Sequence, residues 1–188
     1  MSQKQEIRKF YRKLRDDMSS EEVKEKSELI CRRILKSSLY READKIYVYD
    51  PLGNEADLRP VIADAWQSRK RVAFPKVFGD EMRFFEVTDF SFLHPGTFGV
   101  REPEETTAVC WQNVLVLTPG VSFDRSGHRI GYGKGYYDRY FSGRPDAFLL
   151  GAAYELQIAD AVPAGEFDRK LQGLVTENGL WFTEKERT

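Results

Sequence analysis

Apolar positions at the start of the chain recur at helical spacing. Ile7, Phe10, Tyr11 and Leu14 fall on one stripe, and Val23, Ile30 and Ile34 fall on a second. Each stripe is preceded by a start signal, Ser2 with Gln5 and Ser19 with Glu22, in which a serine and a residue three positions on can satisfy each other's backbone N–H groups. The pattern predicts one helix over 2–15 and another ending near Lys36. Beyond them the period shortens. Residues 45–49 and 71–74 are β-rich runs, separated by Leu58, Val61, Ile62, Ala65 and Trp66 at helical spacing, with Asp57 placed to cap that helix. Residues 82–87, 113–117 and 148–153 continue the strand pattern, and a further helix is expected over 134–141. Strands alternating with helices predict an α/β protein: a three-layer, Rossmann-like fold with a mainly parallel sheet and helices on both faces.

At 188 residues and 41% hydrophobic, the chain can bury one ordinary core, so a single domain over 1–188 is expected. A net charge of −1 provides no global positive field to draw the protein to nucleic acid or an acidic membrane. The charge is uneven, however. Residues 1–45 hold 13 Lys/Arg against 9 Asp/Glu, a net of +4, which leaves −5 for the remainder. On the first helix Lys4, Arg8 and Arg12 stack at i, i+4 spacing, where like charges cost about 0.2–0.5 kcal/mol per pair unless an anion relieves them. Taken alone, the helix favours a solvated basic face over an anion site. Cys31 and Cys110 are isolated, and His94 and His128 lie far apart, so spacing assembles neither a zinc set nor a redox pair. Two reduced structural cysteines are the expectation. The amino terminus lacks the apolar run of a signal peptide, and no stretch approaches the roughly 20 apolar residues that span a bilayer. The expected location is the cytoplasm.

The densest chemistry lies in residues 119–140, PGVSFDRSGHRIGYGKGYYDRY. Gly131, Gly133 and Gly135 alternate with Tyr132, Lys134 and Tyr136, so backbone donors can approach a ligand closely while Lys134 and Arg129 supply positive charge. Asp138 follows, and a carboxylate near bound phosphates suggests an intervening magnesium ion. Neither a Walker loop nor a dinucleotide fingerprint is present. Spacing thus points to a phosphate site, with a glycine-rich turn on a charged surface as the alternative. Two loops, 50–57 and the one starting at Thr118, follow predicted strands. Ligands gather at the carboxyl ends of such strands, and bringing the loops together would set Glu55 opposite the glycine-rich turn.

These residues resemble the signature of the 5-formyltetrahydrofolate cyclo-ligases, also called 5,10-methenyltetrahydrofolate synthetases. The match comprises Pro119, Gly120, Phe123 and Asp124, then Gly127, Arg129, Gly131, Gly133, Gly135, Tyr136, Tyr137 and Asp138. Weaker echoes are the basic amino-terminal helix, Glu55, residues 98–103, Gln157 and Asp168. The resemblance implies an enzyme that uses ATP and magnesium to close 5-formyltetrahydrofolate into its methenyl form. It places Lys4, Arg8, Arg129, Lys134, Tyr132, Tyr136, Tyr137 and the backbone of Gly131, Gly133 and Gly135 at the nucleotide. Within that set Lys134, Arg129 and Tyr137 are the catalytic candidates. Glu55 would accept the two-donor edge of the pterin, with Asp50 and Tyr136 as further substrate contacts; for Phe98, burial in the core is favoured over an aromatic face for the pterin. Asp138 and Asp168 would hold the magnesium.

The chain departs from the usual family residues at Ala56 and Leu58. His128 reads as a surface turn residue, Tyr11, Tyr40 and Tyr47 as packing or surface aromatics, and Arg101 and Lys170 fall outside the expected site. The implied partners are small molecules, with no nucleic acid and no membrane, and the expected state is a monomer. Two rival readings are an enzyme of similar fold acting on a sugar phosphate or coenzyme thioester, and an RNA-binding module using Lys134, Tyr136 and Tyr137.

Overall fold

The computed structural model describes residues 2–183, with the Phe98 side chain excepted. Both predicted start signals operate. Helix α1, Gln3–Asp16, opens with the Ser2 N–H donating to Gln5 Oε1 at 2.8 Å. In α2, Ser20–Lys36, Glu22 N–H donates to Ser19 Oγ at 3.2 Å and Ser19 N–H donates back to Glu22 Oε2 at 2.9 Å. Such a cap contributes about 1 kcal/mol. A short helix α3, Ser38–Glu42, leads into strand β1, Lys45–Tyr47. Helix α4, Arg59–Gln67, is capped by the Leu58 backbone rather than by Asp57 directly. The Asp57 carboxylate instead accepts from the Arg59 N–H at 3.0 Å, from one position further upstream.

The sheet is completed by β2 (Arg71–Phe78), β3 (Glu81–Glu86), β6 (Ala108–Val109), β7 (Leu115–Thr118), β10 (Phe148–Ala152), β11 (Gly173–Val175) and β12 (Leu180–Phe182). Hairpins β4–β5 (Leu93–Pro95, Arg101–Pro103) and β8–β9 (Ser122–Phe123, Arg129–Ile130) lie outside it. Its order is β12-β11-β10-β7-β1-β2-β3-β6. The run from β11 to β2 is parallel, and the edge pairings are antiparallel. The mainly parallel, three-layer expectation holds, with β3 and β12 running against the other strands. Phe78 and Glu81 are joined through Gly79, at φ 60°, and Asp80, a two-residue turn that reverses the chain.

Alternation along the strands sorts the core onto two faces. Ile46, Leu115, Leu117 and Leu150 pack with Ile30, Ile34, Val61 and Ile62 of α2 and α4. Their strand neighbours Tyr47, Val116 and Leu149 point the other way, toward Phe123 and Phe141, the latter from α5 (Tyr136–Phe141). The central strand β7 is therefore buried along its whole length, as parallel strands covered on both faces are. Tyr40 and Tyr47 belong to this packing, as expected. Both cysteines are free, Cys31 in the core and Cys110 exposed.

Two expectations fail locally. Helix α5 starts at Tyr136 rather than Lys134, because Gly135 sits at φ 67°, a left-handed conformation that cannot continue a helix upstream. The apolar stripe of α1 is only half covered, with Ile7 and Tyr11 half-buried. Phe10 is 58% and Leu14 37% exposed, and the one buried residue of α1 is Arg15. The helix packs on β8 and on the short turn Glu155–Gln157, with its cations turned to the residues around Gly131.

The β8–β9 hairpin is fastened at Gly127, whose φ is 90° and whose carbonyl accepts from the Leu171 N–H at 2.8 Å. A Cβ there would lie 2.5 Å from the Leu171 carbonyl oxygen, a backbone atom that cannot step aside. Gly127→Ala should therefore destabilise the protein by about 2–4 kcal/mol, combining left-handed strain with overpacking. Equilibrium urea unfolding measures it, and a midpoint equal to wild type would show that the hairpin tolerates the side chain. Among the described residues no helix is long and apolar enough to cross a membrane.

Candidate active site

Strands β1 and β7 are parallel neighbours, Ile46 opposite Leu115, yet the chain leaves β1 toward β2 on the opposite side. The sheet order thus reverses between them, and the loops after both strands open at one switch point. The loop after β1 carries Asp50 and Glu55. The one after β7 carries the glycine-rich turn. Its base is fixed by Gln157, a buried residue whose Nε2 donates to the carbonyls of Gly120 and Val121, each at 3.0 Å. Asp124 ties the hairpin, accepting from the N–H groups of Ser126 at 2.9 Å, His128 at 3.0 Å and Val162 at 2.9 Å. Burial pushes the Asp124 carboxyl up, but those bonds more than offset it and hold the group below the usual carboxylate range. His128 is half-buried rather than a free surface residue, with Nδ1 3.0 Å from Asp124 Oδ2.

Two cavities meet on this turn. The first, about 280 Å³, brings together Lys4, Arg8, Arg129, Lys134 and the backbone at Gly131, Gly133 and Gly135, with Asp138 and Asp168 at its edge. Arg8 Nε donates to the Gly131 carbonyl at 2.8 Å, which docks α1 against the turn. Gly133 is at φ 98°, and a Cβ there would stand 3.4 Å from the Arg8 guanidinium. Four cations and a run of backbone N–H groups around one small cavity suit a polyphosphate. The second cavity, about 430 Å³, is floored by Pro75, Val77 and Met82 of β2 and β3 and holds Glu55 and Asp50. Tyr132, Lys134, Tyr136 and Tyr137 line both cavities and form their common wall.

Glu55 is 6% exposed. Its Oε2 accepts from the Leu52 N–H at 2.9 Å, its Oε1 accepts from the Tyr132 hydroxyl, and Arg15 Nη1 lies 3.6 Å from Oε1. Burial drives its carboxyl above the usual range, with Arg15, Tyr132 and the Leu52 N–H opposing. Asp50 is gripped by Arg101 through two bonds, Nε to Oδ2 at 3.0 Å and Nη2 to Oδ1 at 2.6 Å. This bidentate pair shows Arg101 to be a residue of the second cavity, contrary to the expectation that set it aside. Arg12 also lines that cavity, although it reads in the sequence only as part of a basic face.

Tyr136 spends its hydroxyl on the Gly79 carbonyl at 3.0 Å, so it offers a ligand its ring rather than a donor. Tyr137 differs. Its hydroxyl is buried and finds no hydrogen-bond partner among the described residues, and burial raises its pKa. The Arg129 guanidinium lies 5.5 Å from that ring, and its Nε is likewise buried without a bond. Two orphaned donors, Tyr137 on the shared wall and Arg129 in the first cavity beside it, mark where an acceptor is wanted.

The carboxylates expected to hold metal are each paired with a cation. Asp138 Oδ1 accepts from Arg129 Nη2 at 2.9 Å and the Arg169 N–H at 3.0 Å. Asp168 Oδ2 pairs with Lys4 Nζ at 2.5 Å and accepts from the Gly165 N–H at 2.7 Å. Among the described residues no group of three or more His, Cys, Asp or Glu converges as a ready-made metal site. Phe98 falls in the turn Thr97–Gly99, and its side chain is outside what the structure describes.

The fold agrees with comparison to known proteins. The chain belongs to the 5-formyltetrahydrofolate cyclo-ligase family, whose sequence model matches residues 1–177. It is 31% identical over 192 residues to the probable 5-formyltetrahydrofolate cyclo-ligase of Caenorhabditis elegans, with 93% of this chain and 92% of that one covered. The 5-formyltetrahydrofolate cyclo-ligase of Escherichia coli K12 is 26% identical over 183 residues, covering 90% of this chain and 98% of the relative. The NMR structure of Aquifex aeolicus 5,10-methenyltetrahydrofolate synthetase superposes with a TM-score of 0.84 at 31% identity, over 100% of this chain and 96% of that one. The resemblance carried by the glycine-rich signature is thereby borne out.

Proposed function

We propose that the protein closes 5-formyltetrahydrofolate to 5,10-methenyltetrahydrofolate, consuming ATP and releasing ADP and phosphate. The observation that carries this reading is the shared wall: a cation-lined cavity and a larger one with an apolar floor and a buried carboxylate meet at Lys134 and three tyrosines. A phosphoryl donor in the first and a pterin in the second would face each other across that wall.

The chemistry needs such an encounter. A formyl amide is a poor electrophile because its nitrogen donates into the carbonyl and its oxygen leaves badly. Transfer of the terminal phosphoryl group to the formyl oxygen corrects both faults. The N10 amine then attacks the formyl carbon and loses its proton, and phosphate departs with the former formyl oxygen to leave the methenyl cation. Phosphoryl transfer is catalysed mainly by alignment and charge stabilisation. Lys4, Arg8 and Arg129 neutralise the phosphates, Lys134 follows the moving group across the wall, and the Tyr137 hydroxyl supplies a donor to an oxygen there. Glu55 receives the amide N–H and amino group of the pterin edge.

Magnesium fits this donor set as an ion held chiefly by nucleotide phosphates, with Asp138 and Asp168 as its protein carboxylates, since such sites commonly use one or two. When bound, it adds positive charge at the phosphate oxygens. We further propose a single domain acting as a monomer in the cytoplasm. The test is absorbance of the methenyl product from purified protein, 5-formyltetrahydrofolate, magnesium and ATP. Product that needs both ATP and metal supports the reading, and no product from folded, nucleotide-binding protein would reject it.

A further inference from the structure

Arg15 is a buried charged residue beside the second cavity for which the proposed chemistry has no use. It is 2% exposed at the end of α1, and its guanidinium faces the Tyr132 ring at 5.8 Å as well as Glu55. Its Nε and Nη1 are buried and find no hydrogen-bond partner among the described residues. An arginine buried for structure normally spends those donors. Here the guanidinium acts on Glu55 through its charge, which no accessible pH removes.

The backbone makes the same connection. Asn54, the residue before Glu55, donates through Nδ2 to the carbonyls of Arg15 at 3.1 Å and Met18 at 3.0 Å. The loop that carries the carboxylate is thus fastened to the end of the helix that carries the guanidinium. We propose that Arg15 is a positioning residue for substrate binding, keeping Glu55 ionised and fixed in the second cavity so that the donor edge of a reduced pterin meets a carboxylate rather than a carboxylic acid. The inference rests on the folate reading of that cavity.

The groups around Glu55 define the expected pH behaviour. Arg15, the Tyr132 hydroxyl and the Leu52 N–H favour its charged form, burial and Asp50 oppose it, and Tyr49 and Tyr137 lie close enough to feel its charge. Arg15 is the largest of the favourable influences. Without it the raised pKa climbs further, so the ionised fraction falls as pH falls.

Steady-state kinetics of Arg15→Met, Arg15→Gln and Arg15→Lys at several pH values test this, with urea unfolding to establish that each folds. For the two neutral variants KM for 5-formyltetrahydrofolate should rise about 10- to 100-fold at neutral pH, one pKa unit being a factor of ten. KM for ATP should stay within about twofold of wild type, because Arg15 does not touch the first cavity. The folate penalty should grow toward acid pH, and Arg15→Lys should restore most of the affinity and the flatter profile. A folded neutral variant whose two KM values rise together, or whose folate penalty is independent of pH, would reduce Arg15 to a packing residue. Wild-type protein that makes no methenyl product would instead overturn the folate reading itself.

Discussion

Lys134→Ala is expected to lower kcat for methenyl formation by about 10²–10³-fold and to leave the thermal midpoint unchanged. Lys134 is exposed and lines both cavities, so its charge lies where a phosphoryl group would pass from one ligand to the other. Removing a single preorganised donor from developing charge typically costs about 2.7–4 kcal/mol in the transition state. Ground-state nucleotide binding should suffer less, because Lys4, Arg8 and Arg129 remain in the first cavity. Single-turnover kinetics alongside ADP titration separates the two effects. A variant with wild-type kcat and wild-type ADP affinity would remove Lys134 from the mechanism, and one with wild-type kcat but weakened ADP affinity would reassign it to binding alone.

Glu55→Gln should cut kcat/KM for 5-formyltetrahydrofolate by about 10²–10³-fold. A carboxylate accepts both donors of the pterin edge, whereas an amide presents a donor of its own to one of them. Loss of a charge-assisted bond of about 1.5–3 kcal/mol, with an unpaired donor added, gives that range. The substitution also strips Arg15 of its buried counter-charge, leaving the more exposed Asp16 at 3.9 Å. Breaking a buried ion pair costs about 3–5 kcal/mol, and a separation of 3.6 Å without a hydrogen bond places this one toward the lower limit. Urea unfolding and KM for ATP measured on the same preparation distinguish lost recognition from lost structure. Wild-type kcat/KM in a folded Glu55→Gln variant would move the pterin away from Glu55.

Features that depend on near neighbours were legible in the sequence. Ser2 with Gln5 and Ser19 with Glu22 each complete their bonds within one helical turn, so the residue types suffice. The run ending at Thr118 is apolar enough to require cover on both faces, and the glycine-rich turn after it collects its chemistry within a few residues. Even the reversal at β3 has a local signal in Gly79 and Asp80 between two apolar runs, and reading that dipeptide as a hairpin would have set the strand's direction. The rest is decided across the fold. Lys4 meets Asp168 from 164 residues away, and Arg101 reaches Asp50 across 51. Arg15 follows a stripe of apolar residues and is buried while Phe10 and Leu14 are exposed, because the covered side of α1 runs through Lys4, Ile7, Arg8 and Tyr11 to Arg15 and ends at the Glu55 carboxylate. No property of residues 2–15 alone distinguishes Arg15 from Arg12.

Helix α1 contributes a single buried residue and is tied to the body by Lys4 to Asp168, Arg8 to Gly131 and Arg15 to Glu55, and a segment with so little buried surface opens more readily than the core beneath it. Bound phosphate and pterin would cross-link its two ends to the body of the protein, so ligand-free and ligand-bound samples should differ in amide hydrogen exchange over 3–16 while the strands stay alike. The practical corollary concerns handling. A protease clip ahead of Met18 would cost turnover at a stroke, because a single short segment carries Lys4, Arg8 and Arg15 together.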